Sequence, residues 1–119
     1  MDRKDMLEAE RRDVMEQMTA ITRVRRGTVN EQFFEVTQKD GSVVRHGPYF
    51  LYSRTEKGKS FSRRLSNDEV ERYEVETGNC RRFKELSNRC VLICEELAEA
   101  DEKLVEKKRS KRSRRNSAR

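Results

Sequence analysis

Hydrophobic positions change their spacing twice along the chain. Residues 2–25 contain no Gly or Pro, and Leu7, Val14, Met18 and Ile21 recur at intervals of seven, four and three, which sets them on one side of a helix. That stripe is narrow and charges fill most other positions, so the predicted helix needs an apolar partner. Arg25, Arg26 and Gly27 are read as its end.

From Thr28 the pattern becomes Val, Phe, Tyr and Thr between turn residues, which is strand chemistry. Val29–Thr37 is a first strand, and Lys39-Asp40-Gly41-Ser42 is a turn tolerant of positive φ. Ser42–Arg45 then returns antiparallel. His46, Gly47 and Pro48 are expected to interrupt the ladder, because Pro has no N–H and restricts the residue before it. Tyr49–Arg54 and Lys59–Arg64 form a hairpin around Glu56–Gly58. Tyr49, Leu51 and Ser53 share one of its faces, and Phe50, Tyr52 and Arg54 the other.

Ser66 and Glu69 make a capping box, with Leu65 and Val70 as the accompanying staple. The helix they start runs through Val70, Tyr73 and Thr77 to Gly78 and Asn79. Gly78 is read as a kink in a continuous helix, since Gly costs about 1 kcal/mol relative to Ala there. Phe83, Leu86, Cys90, Ile93 and Leu97 follow as a seam for a partner helix. The expected fold is α+β, with long N- and C-terminal helices packed antiparallel and a small three- to four-stranded antiparallel meander between them. Its segments are 1–26, 27–65, 66–106 and 107–119. The last is low-complexity and basic, and is read as a disordered arm. The thin apolar stripe also calls for a second copy or a partner helix.

Composition narrows the possible functions. Of 119 residues 42% are charged and 33% hydrophobic, which limits the chain to one modest core. One His, no Trp and three Cys leave little for acid/base, nucleophilic or metal chemistry. No catalytic residue, metal site or cofactor is therefore assigned. No apolar run approaches the roughly 18 residues of a membrane span, and MDRKDMLEAE lacks a secretory apolar stretch, so a cytoplasmic protein without membrane contact is expected.

The net charge of +6 is segmented: −2 over residues 1–22, +6 over 23–66, −6 over 67–106 and +8 over 107–119. Lys107, Lys108, Arg109, Lys111, Arg112, Arg114, Arg115 and Arg119 supply the last block without one acid. Such a run neutralises phosphates and releases counterions. The hairpin adds Arg54, Lys57, Lys59, Arg63 and Arg64 as nucleic-acid contacts, joined by Arg45 of the preceding strand, with Tyr49 and Tyr52 as candidates for base stacking.

Other motifs carry less. E-K-G-K-S has Ser53 where a phosphate-binding loop needs its first Gly, and a strand pattern follows instead of a helix. Cys80, Cys90 and Cys94 are read as core thiols without a C-x-x-C or paired His. His46 is read as a turn residue. R-R-x-S at Arg63–Ser66 and Arg114–Ser117 matches basophilic kinase sites, although Ser66 is already accounted for as a helix cap.

The strings R-G-T-V-N-E-Q-F-F at Arg26–Phe34, H-G-P-Y-F at His46–Phe50, G-K-S at Gly58–Ser60, L-S-N-D-E-V at Leu65–Val70 and R-R-F-K-E-L at Arg81–Leu86 occur in that order. This arrangement resembles a family of small uncharacterised prokaryotic proteins, a domain of unknown function often found near transposase genes. The resemblance covers about two thirds of the chain and implies a link to mobile elements and nucleic acid. Family members carry a Cys cluster before H-G-P, whereas Thr37–Arg45 here contains no Cys. The expected function is a non-enzymatic nucleic-acid-binding accessory protein, on DNA or RNA, in the company of a transposase or another mobile-element enzyme. The alternative is a helical adaptor or oligomeriser acting through the apolar seam.

Overall fold

A computed structural model describes residues 2–117 in the order α1 (Arg3–Ala20), β1 (Thr28–Thr37), β2 (Val43–Glu56), β3 (Lys59–Arg64) and α2 (Asn67–Ser117). The fold is α+β, with an N-terminal helix, a three-stranded antiparallel sheet of order β1-β2-β3 and a long C-terminal helix. The chain divides into two compact units, residues 1–21 with 83–119, and residues 22–82.

In the first unit, the Asp2 carboxylate accepts the Asp5 N–H at 2.8 Å and opens α1. The helix ends at Ala20, several residues before the expected Arg25. Thr19, Ile21, Thr22 and Val24 are β-branched and hold a helix poorly, and Ile21 is already extended at the C-cap. Leu7 and Val14 of α1 are buried with Leu86, Ile93 and Leu97 of α2, and Met18, Ile21 and Cys90 pack around them. Ion pairs at the rim join Arg3 to Glu96, Lys4 to Asp101 and Glu10 to Arg89.

Residues 107–117 continue α2 as helix, where a disordered arm over 107–119 was expected. Lys and Arg are good helix formers, no Gly or Pro intervenes, and extending a formed helix avoids the cost of a new nucleus. Cations near a helix C-terminus also oppose its dipole favourably. Gly78 and Asn79 lie inside the same helix without a break.

The second unit is organised by the sheet. Asp40 accepts both the N–H and the hydroxyl of Ser42 in the β1–β2 turn, at 2.9 and 2.6 Å. Lys57 and Gly58, both at positive φ, close β2 onto β3 as a two-residue hairpin loop. β2 is one strand through His46, Gly47 and Pro48, where separate strands were expected. Gly47 and Pro48 stand opposite Phe33 alone, between the Gln32–Tyr49 and Phe34–His46 pairs. This is a bulge, which tolerates the missing proline N–H. A Cβ on Gly47 would lie 2.8 Å from the Gln32 carbonyl oxygen, so only Gly fits there.

The segment between α1 and β1 is tied to the third and fourth turns of α2. The Arg25 N–H donates to the Glu76 carbonyl at 3.0 Å and its guanidinium to the Glu76 carboxylate at 3.2 Å. The Asn79 side chain donates to the Arg23 carbonyl at 3.0 Å. Leu65, Tyr73 and Thr77 are the buried residues of this unit.

Candidate nucleic-acid interface

Residues paired across a ladder share a face, and a one-residue bulge shifts the alternation of the strand that carries it. The sheet therefore sorts its side chains into two faces of different chemistry. One turns toward α2 and holds Val29, Glu31, Phe33 and Glu35 of β1, Arg45, Phe50, Tyr52, Arg54 and Glu56 of β2, and Lys59, Phe61 and Arg63 of β3. Ring contacts agree with this assignment, since Tyr52 meets Tyr73 edge-on at 5.1 Å and the Arg45 guanidinium lies 3.8 Å from the Phe33 ring centroid.

The other face carries Thr28, Asn30, Gln32, Phe34 and Val36 of β1, Val44, His46, Tyr49, Leu51, Ser53 and Thr55 of β2, and Ser60, Ser62 and Arg64 of β3. All of these are exposed or half-buried. Phe34 and Tyr49 meet across the bulge with ring centroids 5.5 Å apart, and Arg64 places its guanidinium 3.8 Å from the Tyr49 centroid. Two hydroxyl pairs follow on the same face: Ser53 with Ser62 at 3.1 Å, one step from the Leu51–Arg64 pair, and Thr55 with Ser60 at 3.4 Å, one step beyond it toward the loop. Every carboxylate of the three strands, Glu31, Glu35 and Glu56, is on the face toward α2. The open face has none.

This partition separates the hairpin cations that the sequence grouped together. Arg54 pairs with Glu56 at 3.0 Å, and Arg63 forms a two-point contact with Glu69 at 2.8 and 3.1 Å while donating to the Tyr73 hydroxyl at 2.7 Å. Arg63 holds the Glu69 carboxyl down at about 2, with help from the Ser66 N–H and hydroxyl, and Glu69 raises the Arg63 guanidinium. These two arginines are structural ties. Arg64 alone of the hairpin arginines is on the open face. Lys57 is in the loop, and Lys59 stands opposite Glu56.

The two tyrosines separate as well. Tyr49 belongs to the open face. Tyr52 is committed to Tyr73, and its hydroxyl donates to the Arg26 carbonyl, so it is not a free stacking surface. His46 is a strand residue on the open face, correcting its reading as a turn. Phe34 and the hydroxyl rows were missed from sequence. The alternation T-V-N-E-Q separates amides and hydroxyls from acids, but the phase shift at Gly47-Pro48 concealed that Phe34 and Tyr49 share a side.

On the long helix, Lys107, Lys108, Arg109, Lys111 and Arg112 are exposed beyond the last acidic residue, Glu106. Arg114 and Arg115 lie within the helical span, and their side chains, like Arg119 entirely, fall outside the described residues. Leu86, Ile93 and Leu97 of the predicted seam are buried against α1, and Cys90 is half-buried with its Sγ 3.8 Å from the Met15 sulfur. Phe83 is at the exposed margin. Cys94 is exposed, which corrects its reading as a core thiol. No helix among the described residues is long and apolar enough to cross a membrane. No family model, curated protein or solved structure matches this sequence.

Proposed function

We propose that this chain is a non-enzymatic nucleic-acid-binding accessory protein that grips phosphate through the basic end of α2. The observation carrying this reading is the helical stretch from Lys107 to Arg112, in which five exposed cations follow the last acidic side chain. A helix holds such cations at fixed spacing, so several can contact phosphates without the ordering cost that a disordered arm would incur. The resemblance to proteins encoded near transposase genes suggests that the partner nucleic acid belongs to a mobile element.

We further infer that α1 and α2 run antiparallel. The order of their contacts supports this, since Arg3 and Lys4 reach Glu96 and Asp101 whereas Glu10 and Met15 reach Arg89 and Cys90. In that arrangement α1 occupies the seam of α2. The adaptor alternative thus loses Leu86, Ile93 and Leu97 as an available partner surface.

The test is a salt-titrated binding series on duplex DNA, comparing the full chain with a chain ending at Glu106. Truncation is expected to weaken binding and to flatten log K against log salt by roughly 0.9 for each phosphate no longer neutralised. Equal affinity and equal slope at low salt would sink the proposal.

A further inference from the structure

The geometry points to the open face of the sheet as a platform for single-stranded nucleic acid, with bases stacking at Tyr49, Phe34 and Arg64 and phosphate held by the adjoining hydroxyls. This deepens the nucleic-acid reading and rests on it, but uses a different surface from the basic helix. Three features of the face favour this ligand over other macromolecules.

The first is the stack. The Arg64 guanidinium lies over the Tyr49 ring, with Phe34 beside that ring and half exposed at 52%. An arginine plane on an aromatic ring extends that ring's stacking surface, and a base can lie on the guanidinium or replace it on Tyr49. An unpaired base offers such a surface. A duplex keeps its bases stacked on each other.

The second is the hydroxyl chemistry. In a pair such as Ser53 with Ser62, one hydroxyl donates to the other, so the second retains its own O–H for an outside acceptor. The same holds for Thr55 with Ser60. Each pair therefore offers one donor to a phosphate oxygen. Ser62 and Arg64 are two positions apart on one strand face, roughly 6.6 Å along the chain, so a donor and a cation adjoin the stack.

The third is charge. The three strand carboxylates all lie on the opposite face, so a polyanion approaching Arg64 and His46 meets no like charge from the strands. An apolar protein partner would have no use for that segregation.

The test measures binding of fluorescein-labelled dT12 and of a matched duplex to the full chain and to its Tyr49→Ala, Phe34→Ala, Arg64→Gln and Tyr49→Phe variants. Far-UV circular dichroism and sedimentation are recorded for each protein. Tyr49→Ala is expected to weaken dT12 binding about tenfold or more, in keeping with the cost of losing one stacked base, and Phe34→Ala and Arg64→Gln to weaken it severalfold. Tyr49→Phe should retain the parent affinity, and duplex binding through the basic helix should change less than twofold. Because Phe34 and Arg64 are exposed, their variants report even if Tyr49→Ala fails to fold. If all variants bind dT12 like the parent while duplex binding persists, the platform is overturned and the reading of the basic helix stands. If the full chain binds neither probe, both fall. If the parent self-associates through this face and Phe34→Ala makes it monomeric without altering dT12 affinity, the face is a protein interface and the proposal is overturned.

Discussion

Arg63 places two guanidinium nitrogens on the Glu69 carboxylate, at 2.8 and 3.1 Å, and Glu69 simultaneously accepts the Ser66 N–H at 3.2 Å and the Ser66 hydroxyl at 3.0 Å. One carboxylate therefore joins the end of β3 to the cap of α2. The capping box has an unusual division of labour, since the Ser66 hydroxyl donates to Glu69 while the Ser66 carbonyl accepts the Glu69 N–H at 3.0 Å.

This junction is expected to weaken in acid. The Glu69 carboxyl is held at about 2 from an ordinary 4.5, chiefly by Arg63. Its ionised form therefore favours the fold, with the full contribution present above pH 4.5 and lost as pH falls toward 2. Glu69→Gln should be less stable than the parent at pH 7, and the two should converge as pH approaches 2. Urea midpoints measured across that range decide the matter. Parallel curves would remove Glu69 from the junction.

The turn into β1 gives a second expectation. Gly27 has φ of 123°, and a Cβ there would lie 2.5 Å from the Ser53 carbonyl oxygen and 2.8 Å from a Tyr52 ring carbon. Gly41 has φ of 86° with open space around it. Gly41→Ala should therefore cost only the backbone strain, roughly 1–2 kcal/mol. Gly27→Ala adds steric overlap with backbone and ring, for a total above about 3 kcal/mol. Denaturant unfolding of the two variants measures the difference; equal losses would show that the chain relaxes around Gly27.

These junctions also explain what could be read from sequence. The start of α2 was legible because Ser66 and Glu69 lie three residues apart and carry their partners with them. The end of α1 was legible only in part: Thr19, Ile21, Thr22 and Val24 weaken a helix there, but the segment after it is held by Arg25 to Glu76 and by Asn79 to Arg23, 51 and 56 residues away. Tyr49 and Arg64 were identified as surface candidates, but Arg54 and Arg63 were grouped with them because composition does not reveal which cations face a carboxylate. The helical end of α2 was misread for a related reason. A basic run judged alone lacks a nucleus, whereas attached to a formed helix it needs none.

The core of the first unit supplies a contrast within one helix. Leu86 is 1% exposed between α1 and α2, whereas Leu92 is 61% exposed. Leu86→Ala should cost about 2–5 kcal/mol through lost burial and a residual cavity, and Leu92→Ala about 0.5 kcal/mol or less. Comparable losses in urea unfolding would mean that Leu92 is covered in solution, by a second copy of the chain.

Cys94 tests whether exposure alone makes a thiol reactive. It is exposed, yet its pKa is raised, first by desolvation and then by the neighbouring Cys90. Since the thiolate is the nucleophile, iodoacetamide should modify Cys94 more slowly than a model peptide cysteine at neutral pH, with the gap closing as pH rises past 9. Peptide mapping of timed reactions reads this, and peptide-like rates at neutral pH would contradict it.

The basic end of α2 should respond to salt in two opposite ways. Lys107 with Lys111, and Lys108 with Arg112, are like charges one turn apart on a helix, and such pairs each oppose helix formation by a few tenths of a kcal/mol until screened. Added salt should therefore raise the helical signal of this segment, read as the far-UV difference between the full chain and a chain ending at Glu106. The isolated 107–119 peptide should remain largely unfolded at every salt concentration, because a helix that short cannot offset its own nucleation. Salt must at the same time weaken phosphate binding through the same side chains. Helicity rising while affinity falls separates the two effects. A difference signal that is absent at all salt concentrations would mean that α2 ends near Glu106 in solution, and that the cations reach phosphate from an unstructured chain.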